Sequence, residues 1–100
     1  MRRVVVTGIG IVSSIGSNAA EVSAALREGR SGISFAPDYA EHGFRCQVHG
    51  APRVDLDALI DKRQRRFMGD GAAYNYVAME QAIADSGLGP DEVSHERTGL

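Results

Sequence analysis

Apolar residues fall on both faces of the stretch from Arg3 to Val12, where Val4, Val5, Val6, Ile9, Ile11 and Val12 leave little polar alternation. Continuous apolar character of this kind predicts a central strand covered by helices on both sides. In SIGSNAAEVSAALREGR the period changes to that of a helix. Asn18 is a good N-cap, and Glu21 three residues later can complete a capping box. Val22, Ala25 and Leu26 share one face, and Gly29 is placed for the left-handed residue that ends a helix. A helix over Ala19–Glu28 is predicted.

Arg30 to Arg53 holds Gly32, Pro37, Gly43, Gly50 and Pro52, with only a weak strand signal at Cys46–His49. It reads as a long irregular connection, of a kind that often serves a functional or interface region. Asp55 then caps a short helix, LDALID, and a longer helix is predicted over Arg65–Asp85. Its apolar row is Met68, Ala72, Tyr76, Met79 and Ile83, widened by Phe67, Tyr74, Val77 and Ala78. Gly69, Gly71, Ala72 and Ala73 thin its early turns and permit close backbone approach. Gly87 followed by Leu88 reads as a Schellman stop, and Pro90 with Asp91 and Glu92 opens another short helix. The closing RTGL reads as the start of a second strand.

Strand, helix, long loop, helix and strand start together indicate an α/β class. One strand and several apolar helix faces do not close a core in that class, so the chain is expected to be part of a larger α/β protein. Composition refines this picture little. Apolar residues make up 43% of the chain and charges are mixed, as in an ordered globular protein. A net charge of −2 predicts no general attraction to nucleic acid or membrane surfaces. Cys46 is the only cysteine, which excludes an internal disulfide framework and fits a reducing cytosol. No apolar run has the length of a membrane span or a signal peptide's core, so a cytoplasmic location is expected.

The glycines of TGIGIVSSIG invite comparison with a dinucleotide-binding loop. That loop requires G-x-G-x-x-G directly between a strand and a helix, with an acidic residue ending the next strand. Here Ser13 stands where the third glycine is needed, and Glu28 lies at a helix end. Gly8 and Gly10 fit better as strand positions approached closely by another backbone or a packed helix. As a whole, TGIGIVSSIG resembles the start of the β-ketoacyl-acyl carrier protein synthases. The similarity continues through EVSAALREGRSGI and IDKRQRRFMGDGAAYNYVAMEQAIADSGL, and ends at RTGL. VSSIG, REGRSGI and the RFM…MEQAIADSGL helix look more like the type I synthase than type II. The stretch from Ala36 to Asp55 departs most from the family pattern.

The resemblance implies the duplicated five-layer αβαβα fold of the thiolase superfamily, with residues 1–100 as the N-terminal part of its first half. It also implies a homodimer without an enzyme cofactor. The expected reaction loads an acyl group onto a cysteine thiolate and condenses it with decarboxylating malonyl-acyl carrier protein. Two histidines assist decarboxylation and stabilise the enolate and oxyanion. In the family pattern these three residues lie beyond position 100, so no catalytic residue is expected here. Cys46, in FRCQV, lacks the small-residue turn and following helix of the nucleophile and reads as a partly buried structural cysteine. His42, His49 and His95 lack metal-pair spacing, and Ser13 and Ser14 lack the G-x-S-x-G frame.

The sharpest local feature is DKRQRRF. On a helix, Lys62, Arg63 and Arg66 fall within about a quarter of the circumference, with Arg65 just to one side and Phe67 and Met68 turned toward the core. Positive charge near a helix start opposes the macrodipole, so helix stability alone does not account for it. The resemblance carries the family's docking positions for acidic acyl carrier protein onto Lys62, Arg63 and Arg66, and its loop arginine onto Arg45. Arg65 is a weaker member of the set. A nucleic-acid surface is the rival reading, but no exposed aromatic residues interleave with the cations. Three further alternatives stay open: a polyketide ketosynthase, a non-catalytic condensing-enzyme homologue acting as a chain-length partner, and a dinucleotide-binding oxidoreductase.

Overall fold

Helix α1 spans Ala19–Glu28, as its caps predict. The Asn18 side chain accepts the Glu21 N–H at 2.9 Å, and the Glu21 carboxylate accepts the Ser17 N–H at 2.7 Å. One otherwise unpartnered donor of the first turn is thereby satisfied, together with the N–H of the residue before the cap. Gly29 ends the helix at φ 65°, where a side chain would be strained. The computed structural model describes residues 1–100 and contains five further helices and two short strands.

The connection after α1 is more ordered than its sequence indicates. Strand β1 (Ile33–Phe35) pairs antiparallel with β2 (Val48–Gly50), with Phe35 opposite Val48 and Ile33 opposite Gly50. Helix α2 (Pro37–Glu41) bridges them, started by proline at its first position. A second cluster supports the excursion, with Tyr39 packed edge-to-face on Phe44 and on His49 at 5.5 and 5.6 Å between centroids. The weak strand signal around Cys46–His49 thus belongs to β2, shifted toward its C-terminal end.

Helix α3 (Leu56–Leu59) begins under Asp55, whose carboxylate accepts the Ala58 N–H. The helix expected over Arg65–Asp85 begins later, at Asp70, and a separate turn precedes it. Helix α4 (Lys62–Arg65) is a single turn capped by Asp61, and helix α5 runs over Asp70–Ser86. The break falls at Gly69, whose extended backbone (φ −69°, ψ 166°) serves as the N-cap of α5. Gly87 stops α5 at φ 68°, and helix α6 covers Pro90–Val93, with the Glu92 carboxylate accepting the Gly89 N–H. The apolar face of α5 is rotated from the expected row. Ala73 and Val77 are buried and Ala72 is exposed. Ala73 and Val77 pack with Leu56 and Ile60 into a small core flanked by Val12, Val54, Met68, Tyr74 and Tyr76.

The expected N-terminal strand has no ladder. Residues 1–12 contain no assigned strand, and the only sheet is β1–β2. Val4 and Val6 are 92% and 84% exposed, so this segment does not form the expected buried centre. A strand is completed by its neighbours, and the remaining apolar segments of these 100 residues are committed to helices or to the ribbon. RTGL likewise forms no strand; Thr98 instead donates to the Glu92 carbonyl through its hydroxyl.

What holds the N-terminal segment is α5. A Cβ at Gly10 would lie 1.7 Å from the Ala78 carbonyl oxygen, and one at Gly8 would lie 2.2 Å from that of Ala82. The registers match because two residues of extended chain advance about 6.6 Å. Four residues of helix advance about 6 Å, so each glycine meets one alanine turn. The same step aligns Ile9 and Ile11, whose N–H groups donate to Asp85 Oδ2 at 3.0 Å and Gln81 Oε1 at 3.1 Å. Gln81 also donates through Nε2 to the Ser17 carbonyl, tying the Ser13–Gly16 turn to the same helix. Close approach by a packed helix is therefore the role of Gly8 and Gly10.

Candidate functional site

The basic cluster stands on α4. Lys62, Arg63 and Arg66 are all exposed, Arg66 being the C-cap of the turn, and none has an ion-pair partner. The nearby acids are engaged elsewhere. Asp55 caps α3, Asp61 accepts the Arg63 N–H at 2.8 Å, and Asp57 faces Arg65. Three cations thus project from one short element without local neutralisation, giving a concentrated positive surface on an acidic chain.

Arg65 behaves differently. Its side chain is 23% exposed. Nη1 donates to the Met68 carbonyl at 2.6 Å, and Nη2 donates to Asp70 Oδ1 at 2.7 Å. Its buried Nε lies 3.5 Å from Asp57 Oδ1, outside hydrogen-bond geometry, so that contact is charge attraction alone. Gln64 is exposed but is tied to α5, accepting the Tyr76 hydroxyl at 3.1 Å. The turn therefore has a structural side, Gln64 and Arg65, and a free side, Lys62, Arg63 and Arg66.

Three sequence expectations about this element change. The cations do not stand at the start of the long helix; α5 begins with Asp70, the charge its dipole favours. The macrodipole conflict is therefore removed, and the case for a docking surface stands on exposure and unpaired charge. Phe67 is 80% exposed and does not enter the core, with the Arg66 guanidinium 4.7 Å above its ring. The Gly69 break swings this residue outward. Met68, by contrast, packs against the core as expected.

Arg45 is exposed on the loop between α2 and β2, and no hydrogen bond or ion pair links it to α4. Its neighbour Cys46 is exposed, not partly buried, because the short ribbon begins only at Val48. The cysteine Sγ lies 3.7 Å from the Val48 carbonyl, with no helix start after it. Ser13 serves the turn as a loop hydroxyl, donating to the Gly16 carbonyl and accepting the Ile15 N–H. His42, His49 and His95 join no cluster of three metal-binding side chains. A polar cleft of about 570 Å³ is lined by Ser13–Ser17 and Arg30–Ser34, and its Ser13, Ser17 and Glu21 side chains bond backbone groups. No helix is long and apolar enough to cross a membrane.

Two functional assignments were hidden in the sequence. The inward turn of Arg65 depends on the helix break, which no residue between Lys62 and Met68 announces. The clamp formed by Gln81 and Asp85 had a signal: their spacing of four matches the spacing of two between Ile9 and Ile11, beside Gly8 and Gly10.

The sequence profile described as "Beta-ketoacyl synthase, N-terminal domain" matches residues 1–100, and the chain belongs to that family, whose fold is thiolase-like. Among curated relatives, it is 50% identical over 100 residues to 3-oxoacyl-[acyl-carrier-protein] synthase 1 of Haemophilus influenzae. It is also 50% identical over 101 residues to the synthase 1 of Escherichia coli K12, and in both cases the whole chain is covered. Identity to synthase 2 of Vibrio cholerae is 33% over 100 residues, in keeping with the stronger likeness to type I. The chain spans about a quarter of the length of these relatives.

Proposed function

We propose that the protein containing this chain is a β-ketoacyl-acyl carrier protein synthase of fatty acid biosynthesis, with residues 1–100 as the N-terminal part of the first half of its five-layer fold. The observation that carries this reading is the family match along all 100 residues, with half of them identical to two synthases of type 1. The openness of the structure supports the incomplete-domain part. Its radius of gyration is 16.8 Å, against about 13 Å for a compact chain of this length. Only six residues are buried, too few for a self-sufficient core. Further strands would cover Val4, Val5 and Val6 and complete the sheet in a cytoplasmic homodimer.

The reaction transfers an acyl group from carrier-protein thioester to an enzyme cysteine outside these residues, releasing the carrier thiol. Malonyl-carrier protein then loses CO₂, and its carbanion attacks the acyl thioester and expels the cysteine thiolate. The product is a β-ketoacyl thioester two carbons longer. The part of this chemistry borne by residues 1–100 is delivery. Lys62, Arg63 and Arg66, with Arg45 on its separate loop, receive the acidic carrier protein. Long-range attraction speeds encounter, and the fixed turn orients it.

Incubating the full-length protein with acyl- and malonyl-carrier protein tests the reading. Equimolar CO₂ and β-ketoacyl-carrier protein are expected. Carrier-protein binding without either product would instead identify a non-catalytic homologue.

A further inference from the structure

Helix α4 has only four residues, and a helix this short does not hold itself together in water. Yet the docking reading requires its free side to present three cations in a fixed arrangement. The interactions that could fix it lie on the other side. Arg65 grips the exit of the turn through the Met68 carbonyl, the first residue of α5 through Asp70, and α3 through the charge of Asp57. One planar fork thus reaches the two elements adjoining α4, a geometry that a lysine point charge cannot reproduce.

We infer that Arg65 is a positioning residue, which holds α4 against α3 and α5 so that Lys62, Arg63 and Arg66 meet the acidic partner in one arrangement, without itself touching that partner. The inference rests on the proposal that α4 docks a carrier protein. Arg65's own charge lies beside the Asp70 and Asp57 carboxylates, so it adds little to the outward field. Its contribution is preorganisation: without it, the three cations must be ordered during binding.

Association and dissociation rates for carrier protein, measured on the full-length protein across a salt series, separate the two roles. Arg65→Gln is expected to raise the dissociation rate about three- to tenfold, the scale of ordering one long side chain. The salt slope of association should stay near that of wild type. Arg65→Lys keeps the charge but loses the fork, and is expected to resemble Arg65→Gln. Arg66→Gln removes a docking charge and should slow association and flatten the salt slope. Asp70→Asn, which removes the partner of Arg65 and leaves every cation in place, should speed dissociation in the same direction. It carries the test if Arg65→Gln does not fold.

Wild-type binding by Arg65→Gln, or by Asp70→Asn should Arg65→Gln not fold, overturns the inference while Arg66→Gln remains impaired. So does a flattened slope that Arg65→Lys restores, because Arg65 would then be a docking charge. Unchanged binding by both Arg65→Gln and Arg66→Gln overturns the docking proposal together with this inference.

Discussion

Replacing Gly10 with alanine adds a single methyl group where the structure has no room for it. The new Cβ would stand 1.7 Å from the Ala78 carbonyl oxygen, 2.7 Å from its carbon and 2.8 Å from the Ala82 nitrogen. All three are backbone atoms of α5, so no rotamer change relieves the overlap. To restore ordinary contact, the N-terminal segment has to lift from the helix by about 2 Å. Overpacking of this kind costs about 1–3 kcal/mol. The lift also stretches the bonds from the Ile9 and Ile11 N–H groups to Asp85 and Gln81, each worth about 1 kcal/mol. Together the loss is about 3–5 kcal/mol, a large part of the 5–15 kcal/mol that separates folded from unfolded protein. Urea unfolding of the full-length protein measures it, with Gly71→Ala as the control. Gly71 lies in the first turn of α5 with nothing within 4 Å of an added Cβ. Its substitution should be neutral or stabilising by up to about 1 kcal/mol. A Gly10→Ala protein within about 0.5 kcal/mol of wild type would refute the glycine–helix contact as the reason for these glycines.

Other outcomes follow from the same geometry. Asn18→Ala should cost about 1 kcal/mol and speed amide exchange at Glu21, whose N–H the side chain caps. Gln81→Leu leaves the Ile11 N–H and the Ser17 carbonyl without their partner and should destabilise by about 1–3 kcal/mol in thermal or urea unfolding. Phe67→Ala should change stability by less than about 0.5 kcal/mol, because its ring is exposed; a core loss of 3 kcal/mol would return it to the interior. Cys46→Ala should leave the condensation proposed for the full-length protein at its wild-type rate.

The features readable from sequence were those determined by neighbouring residues. Asn18, Gly29, Asp55 and Gly87 each meet a donor or a backbone conformation within a few residues, so caps and stops fell where expected. Hydrophobicity alone suggests the N-terminal strand, but residues 1–12 find no strand partner among residues 1–100. The β1–β2 ribbon pairs residues up to 17 positions apart across a segment rich in Gly and Pro, which hides the pairing. The division between α4 and α5 was missed because Lys62 to Met68 suits a continuing helix, and only Gly69 marks the break. The same limit applied to the site. Lys62, Arg63 and Arg66 were found by helical spacing, whereas the inward turn of Arg65 depends on Met68 and Asp70 across the break.

Carrier-protein binding by the full-length protein is the experiment on which the role of α4 depends. Wild type and a Lys62→Glu/Arg66→Glu double variant are compared across a salt series, with circular dichroism establishing that both are folded. Reversing two unpaired cations opposite an acidic partner should cost on the order of tenfold in affinity or more at low salt, with a flattened salt slope. Equal affinity and equal slope in a folded variant would contradict docking at α4 and leave Lys62, Arg63 and Arg66 as a solvated face.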